Sequence, residues 1–227
     1  MRKYIIGILV LGILAFLAYW GTIMYRFAEG VNKDAARLKL CRLEQQVQEG
    51  DIIFQTSRSS QSQAIQQATH SRYSHLGIIY KNADQYYVYE AIGPVKLTPL
   101  EEWVSRGEKG HYVVKRLKNA EQLLKNATLD RMRQIGEQFK GKPYDIYFEW
   151  TDERFYCSEL VWKIYKEGAG VEIGQLQSLS SFDLSHELVQ TKMKERYGNA
   201  IPLNEKVISP AAMFRSERLV KVVSSPY

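Results

Sequence analysis

"YSHLGIIYKNADQYYVYEA", residues 73–91, has the pattern of a β-hairpin, because two apolar segments rich in aromatic and β-branched residues flank the polar turn "KNAD". If the turn is symmetric, residue 81 pairs with residue 84, and His75 lies directly opposite Glu90. Opposite side chains on one face have Cβ atoms ~4.5–5.5 Å apart, so Glu90 can accept a hydrogen bond from His75. A slip of one residue would move Glu90 to the other face of the hairpin, which makes this prediction specific.

The remaining segments predict an α+β fold. Apolar runs indicate further strands, and helical spacing of apolar residues indicates helices, one of which begins near Tyr156. Strands and helices occur in separate groups along the chain rather than in strict alternation. We therefore expect a central antiparallel sheet packed against the helix that begins near Tyr156, rather than a doubly wound parallel sheet.

The stretch "YCSELV", residues 156–161, places Cys157 at the start of that predicted amphipathic helix. The free N–H groups of a helix N-terminus favour the thiolate form of a cysteine and can also hold an oxyanion. The alternative is a small buried residue, since free cysteine is among the most buried residue types. The other cysteine, Cys41, is 116 residues away in an unrelated context, so we do not expect a disulfide.

Three of these side chains together match the roles of a catalytic triad. Cys157 would be the nucleophile, His75 the base, and Glu90 the residue that orients the imidazole and stabilises its charged form. Taken singly, His75 reads as a structural strand residue and Glu90 as a solvated carboxylate. This chemistry requires no metal and no cofactor.

Composition narrows the class of protein. The chain has 227 residues, a net charge of +6 and 15 tyrosines. The aromatic content argues against disorder. The positive charge is spread along the chain without a block of five like charges, so we expect no nucleic-acid partner.

The N-terminus contains a long apolar run. No charged residue occurs from Tyr4 to Tyr25, a length that as a helix reaches about 33 Å and would cross a bilayer core of about 30 Å. A cleaved signal peptide is the alternative, but its apolar region is usually shorter and followed by a small-residue cleavage site. We expect an uncleaved transmembrane anchor over 1–25, a helical connector over 26–48 and a catalytic domain over 49–227.

Four short motifs resemble a known family. "GDIIF" (50–54), "YSHLGIIY" (73–80) and "YVYEA" (87–91) are similar to the second half of NlpC/P60 cysteine peptidases. "GKPYD" (141–145), followed by "YCSELVWKIY" (156–165), is similar to their first half. The two halves occur here in reverse order, so the chain resembles a circularly permuted NlpC/P60 (permuted papain-like) protein of the YiiX-like group.

The resemblance implies a papain-like fold and the triad Cys157, His75 and Glu90. It also implies that Tyr144 lines the site and donates a hydrogen bond near the oxyanion. Two positions depart from the pattern of the cell-wall enzymes: Glu159 replaces the usual glycine after Cys-Ser, and Glu90 stands where many relatives have histidine. Because of these departures, the resemblance does not determine the class of substrate.

The expected function is therefore hydrolysis through a Cys157 thioester, by an amidase or peptidase acting on peptide amides of the cell envelope. A lipid ester or acyl hydrolase, or an acyltransferase at the membrane, is the second possibility. A non-catalytic membrane-bound binding module is the third. With the anchor, the resemblance implies a bacterial inner-membrane protein with a single span and a periplasmic catalytic domain.

Overall fold

The structure is a computed structural model that describes residues 2–225, except for the side chains of residues 2–15 and 32–33. The chain divides into two compact units, residues 1–45 and residues 46–227. The first unit contains a single helix, α1 (Arg2–Glu44). The predicted anchor and the predicted connector therefore belong to one continuous helix.

The predicted transmembrane anchor over residues 1–25 is not upheld. In the described part of the chain, no helix is long and apolar enough to cross a membrane. A span needs about 20 consecutive apolar residues. The described side chains of α1 begin at Phe16 and reach the charged Arg26 after ten residues. The single-pass inner-membrane location, with its periplasmic catalytic domain, depended on this anchor and is corrected with it.

The second unit is built on a six-stranded antiparallel sheet, which confirms the predicted α+β class. Its strands are β1 (Ile52–Gln55), β2 (His75–Asn82), β3 (Gln85–Ala91), β4 (Val95–Pro99), β5 (Tyr112–Leu117) and β8 (Leu219–Ser224). They lie in the order β4-β3-β2-β1-β5-β8. Two short strands pair separately, β6 (Gln177–Ser178) and β7 (Lys206–Val207).

The helices of this unit are α2 (Ser60–Thr69), α3 (Leu100–Arg106), α4 (Ala120–Leu123), α5 (Asn126–Phe139), α6 (Cys157–Ala169), α7 (Glu187–Tyr197) and α8 (Pro210–Phe214). Helix α6 packs on β2 and β3. It buries Leu160, Ile164 and Tyr165 completely, because these residues recur at the spacing of one helical face. Gly170 ends the helix in the left-handed region at φ 69°, a conformation that glycine adopts without strain. The buried face of α6 thus holds the helix, including its first residue Cys157, against the sheet.

The β2–β3 hairpin differs from its predicted register by two residues. Asn82 pairs with Gln85, so the turn lies at residues 83 and 84, whereas residue 81 was expected to pair with residue 84. Glu90 consequently lies opposite Gly77, and a Cβ atom placed on Gly77 would be 3.4 Å from Glu90 Cβ. A shift of two keeps each side chain on its face. His75 and Glu90 are therefore diagonal neighbours, and Gly77 leaves no side chain between them.

Candidate active site

His75 and Glu90 form a buried pair on the sheet. His75 Nε2 lies 2.6 Å from Glu90 Oε2. The carboxylate is fully buried, and His75 is 7% exposed. The ring of Trp103 stacks on the imidazole, with centroids 5.9 Å apart. The contact expected from the hairpin thus exists, although it is made diagonally rather than directly across the strands.

Three further donors surround the Glu90 carboxylate. Thr98 Oγ1 donates to Oε1 at 2.6 Å, Trp103 Nε1 donates to Oε2 at 2.9 Å, and the Arg106 guanidinium also donates to Oε1. Burial alone would raise the pKa of Glu90, but the hydrogen bond and charge of His75, with the help of Thr98 and Arg106, lower it to about 2. Glu90 is therefore an anion at every working pH.

Sequence reasoning missed these three donors. Trp103 and Arg106 are three residues apart on α3, so they share one face of that helix. Thr98 lies on β4, where Glu90 pairs with Lys96, so Thr98 is two residues from that partner and faces the same side. Both spacings are visible in the sequence. What could not be read there is that α3 folds back over Glu90.

Cys157 occupies the first residue of α6, as predicted, and is buried. Its sulfur lies close enough to His75 to affect the pKa of the imidazole. Burial lowers the pKa of His75, but the hydrogen bonds and charges of Cys157 and Glu90 outweigh burial and raise this pKa to about 9. His75 therefore carries a positive charge at neutral pH, next to the Cys157 sulfur. Because Glu90 occupies Nε2, the remaining ring nitrogen is the one available to the sulfur.

Tyr144 lies beside Cys157 through a short backbone pairing. It forms a parallel bridge with Phe155, in which Asp145 N–H donates to Phe155 O at 3.0 Å and Phe155 N–H donates to Pro143 O at 3.1 Å. Its hydroxyl accepts a hydrogen bond of 2.9 Å from Gln61 Nε2. Sequence reasoning missed Gln61, because nothing in the polar run of α2 distinguishes it from its neighbours.

Two cavities meet at this site, and Gln61, Ile65 and Tyr144 line both of them. The first space, about 690 Å³ including open solvent, contains Cys157 and is almost wholly apolar, lined by side chains from α2 and α7 and by Phe148, Leu179, Phe182 and Ile208. The second space, about 1300 Å³ including open solvent, contains His75 and is more polar than the first, with Ser57, Ser59, Ser62, Ser74 and Arg58 on its walls. The nucleophile and the base therefore face chemically different spaces.

Comparison with known proteins identifies the family of this chain. Residues 46–223 match the model of a family described as permuted papain-like amidase enzymes, the YaeF/YiiX, C92 family. The chain belongs to this family. The uncharacterized protein YiiX of Escherichia coli (strain K12) is 51% identical over 177 residues, which are 78% of this chain and 86% of YiiX.

A solved structure extends the likeness to three dimensions. The crystal structure of the metalloprotein yiiX from Escherichia coli O157:H7 superposes with a TM-score of 0.76 at 51% identity, covering 79% of this chain and 98% of that one. The predicted permuted papain-like family is thus confirmed. Membership in a family of amidases supports a cysteine hydrolase, and the matched region contains His75, Glu90, Tyr144 and Cys157.

Glu159, which departs from the pattern of the cell-wall enzymes, is fully buried and lines neither cavity. It forms an ion pair of 2.9 Å with Lys163, one turn further along α6. Burial raises the pKa of Glu159 to about 8, although the hydrogen bond and charge of Lys163 act in the opposite direction. Lys163 in turn donates to Thr151 O at 2.6 Å. In this permuted papain-like amidase, Glu159 therefore helps to attach the preceding loop to α6 and does not face the site.

Proposed function

We propose that this chain is a thiol-dependent amidase in which Cys157 attacks, His75 transfers protons and Glu90 holds His75 in place. The observation that supports it best is the position of His75, which is hydrogen-bonded to Glu90 and lies close enough to Cys157 for the sulfur to raise the pKa of the imidazole. The four donors around Glu90 keep that carboxylate ionised and immobile. It can therefore orient the imidazole without competing for the proton.

In the first half of the reaction, the Cys157 sulfur attacks the carbonyl carbon of the amide. A carbon–sulfur bond forms, and the carbonyl oxygen becomes an oxyanion beside the N-terminus of α6. Collapse of this intermediate breaks the carbon–nitrogen bond, and His75 donates its proton to the departing amine. The polar cavity on the His75 side can receive that amine.

In the second half, water hydrolyses the thioester. His75, now neutral, takes a proton from the water as the oxygen attacks the acyl carbon. The carbon–sulfur bond then breaks, the acid leaves, and the free Cys157 sulfur and the protonated His75 are restored. The same base and the same oxyanion position serve both halves, so one set of residues completes the cycle.

The first prediction concerns the reactivity of the thiol. At pH 7, iodoacetamide is expected to alkylate Cys157 at least tenfold faster than Cys41, although Cys157 is buried and Cys41 is exposed, because a thiolate beside a cation is the reactive form. The measurement is the rate of modification at each site by peptide mass spectrometry. In the His75→Gln variant, the rate at Cys157 should fall to that of Cys41 or below.

The rate at Cys41 in the same sample is an internal control. Labelling of Cys157 no faster than that of Cys41 in the parent protein would contradict an activated nucleophile. Such a result would favour the third possibility, a module that keeps the fold for binding alone.

The apolar cavity supports a substrate whose acyl part is apolar. Cys157 lies in its wall, so an acyl group on the sulfur has this space before it. Burying a chain of methylene groups there is favourable by about 0.8 kcal/mol for each group. Of the two substrate classes expected from the sequence, this observation favours a lipid-type acyl group over a polar peptide. We propose an amide, or secondarily an ester, of a fatty or similarly apolar acid.

The second prediction tests this assignment by filling the cavity. Ala68 lies on its α2 wall. Ala68→Leu is expected to lower kcat/KM for dodecanoyl p-nitroanilide at least tenfold and to leave acetyl p-nitroanilide unchanged, because the added side chain occupies space that only the long chain needs. The matched control is Gln67→Leu, at an exposed position of the same helix. Equal losses for the long and short substrates would argue against an acyl-chain site.

The related protein from Escherichia coli O157:H7 is described as a metalloprotein. Among the residues that the structure describes here, no group of three or more His, Cys, Asp or Glu side chains is arranged to hold a metal ion. The Glu90 carboxylate is already occupied by four donors. The residues of this site do not fit a bound metal, and the proposed reaction contains no step through one.

A further inference from the structure

The hydroxyl group of Tyr144 has an unused proton. Gln61 Nε2 donates to its oxygen at 2.9 Å, so the oxygen acts as an acceptor in that contact. Within residues 2–225, this hydroxyl donates to no protein acceptor. A phenol that already accepts from a fixed amide has its own O–H directed elsewhere, because donor and acceptor directions at one oxygen differ.

One space open to this proton is the apolar cavity that contains Cys157. Tyr144 lines the apolar cavity together with Cys157, and its backbone is bridged to Phe155, two residues before the nucleophile. Burial, with the nearby charge of Cys157, raises the pKa of Tyr144 above its usual range. The phenol therefore stays protonated and can donate at every working pH. The first N–H groups of α6 also lack intrahelical acceptors.

The helix end that carries Gln61 is held beside the start of the strand that carries the base. Ser59 caps α2 by accepting from Ser62 N–H at 3.1 Å. The hydroxyl groups of Ser62 and Ser74 are 2.5 Å apart, and Ser74 directly precedes His75. The side chain of Gln61 thus projects from a helix end whose position is fixed relative to the base.

We propose that Gln61 is a positioning residue for the oxyanion. Its amide occupies the acceptor side of the Tyr144 hydroxyl and directs the hydroxyl proton toward the acyl oxygen on Cys157. Tyr144 then donates from one side and the backbone N–H of Cys157 from the other. This inference rests on the thiol mechanism proposed above. It adds that kcat depends on Gln61, which the mechanism with Cys157, His75 and Glu90 alone does not require.

The test compares two replacements of Gln61, each with Tyr144 present and with Tyr144 replaced by phenylalanine. The substrate is dodecanoyl p-nitroanilide. Tyr144→Phe is expected to lower kcat by about 10²–10³-fold, the usual effect of one oxyanion donor. Gln61→Met should lower kcat about tenfold with little change in KM. Gln61→Glu keeps the size of the side chain but accepts the hydroxyl proton, so it should lower kcat as much as Tyr144→Phe does.

In the Tyr144→Phe background, Gln61→Met should have no further effect, because the hydroxyl it orients is gone. The same loss in both backgrounds would overturn the proposal, and so would a Gln61→Glu variant that is more active than Gln61→Met. Gln63→Met, at an exposed position of α2, is the matched control. Iodoacetamide should label Cys157 at the parental rate in each variant, which would show that the thiol itself is unaffected. A failure of the thiol mechanism would instead be evident as slow labelling of Cys157 in the parent protein.

Discussion

Replacing Cys157 with serine is expected to reduce amide hydrolysis by roughly 10⁴-fold or more, because the attacking atom of the proposed mechanism is lost while the fold is kept. Serine differs by one atom and fits the buried start of α6. The variant should therefore unfold at the denaturant midpoint of the parent protein. The measurement is kcat/KM for dodecanoyl p-nitroanilide, together with intact mass after a brief incubation with p-nitrophenyl dodecanoate.

The parent protein should gain the mass of one acyl group on Cys157, and the Cys157→Ser variant should gain none. Cys41→Ser is the matched control, since it removes the other thiol from an exposed position in the first unit. Cys41→Ser should retain the parental rate. A Cys157→Ser variant with more than a tenth of the parental activity would rule out Cys157 as the nucleophile.

Glu90→Gln is expected to have the second largest effect, on both activity and stability. The amide cannot neutralise the charges of the buried His75 and the half-buried Arg106 beside it. Removing one partner of a buried pair typically costs about 3–5 kcal/mol in the free energy of unfolding. Catalysis should fall by about 10²–10⁴-fold, because the imidazole loses both its orientation and the stabilisation of its charged form.

The loss of stability should depend on pH in a defined way. The pKa of Glu90 is lowered from 4.5 to about 2, so its contribution is present above pH 4.5 and is lost as the pH falls toward 2. The pKa of His75 is raised from 6.5 to about 9, so its contribution is full below pH 6.5 and is lost as the pH rises through 9. Glu90→Gln should therefore be most destabilising between pH 4.5 and 6.5.

Urea unfolding at a series of pH values measures this difference, with Glu102→Gln on the exposed face of α3 as the matched control. The parent protein should also lose activity above about pH 9, as His75 gives up its proton, and this upper limit should move to lower pH in Glu90→Gln. A difference in stability that stays constant from about pH 4 to about pH 10 would contradict the assignment of charge to the His75–Glu90 pair.

Several features of the site could be predicted from local sequence patterns. Alternation along the two strands placed His75 and Glu90 on one face, and helical spacing placed Cys157 at the start of a helix. The motifs in permuted order identified the family. These predictions succeeded because a strand has a period of 2 and a helix a period of 3.6, so the face of each side chain depends on its near neighbours alone.

Other predictions failed because they needed more than periodicity. The hairpin register was two residues off, because the turn was assumed to lie at residues 82 and 83, and the observed turn, one residue later, keeps every side chain on the same face. The apolar run at the N-terminus predicted a membrane span, yet no helix in the described part of the chain meets the requirements for one. In each case the local pattern allowed more than one arrangement.

The sequence by itself determined the fold class, the family and the three side chains of the proposed triad. Only the tertiary structure decided what surrounds them. It brought Thr98, Trp103 and Arg106 onto Glu90, and it joined Gln61 to Tyr144 across 83 residues of chain. It also placed an apolar cavity on the Cys157 side and a more polar one on the His75 side. These features arise where elements distant in sequence pack together, and no repeating pattern within one segment encodes which distant segment it will meet.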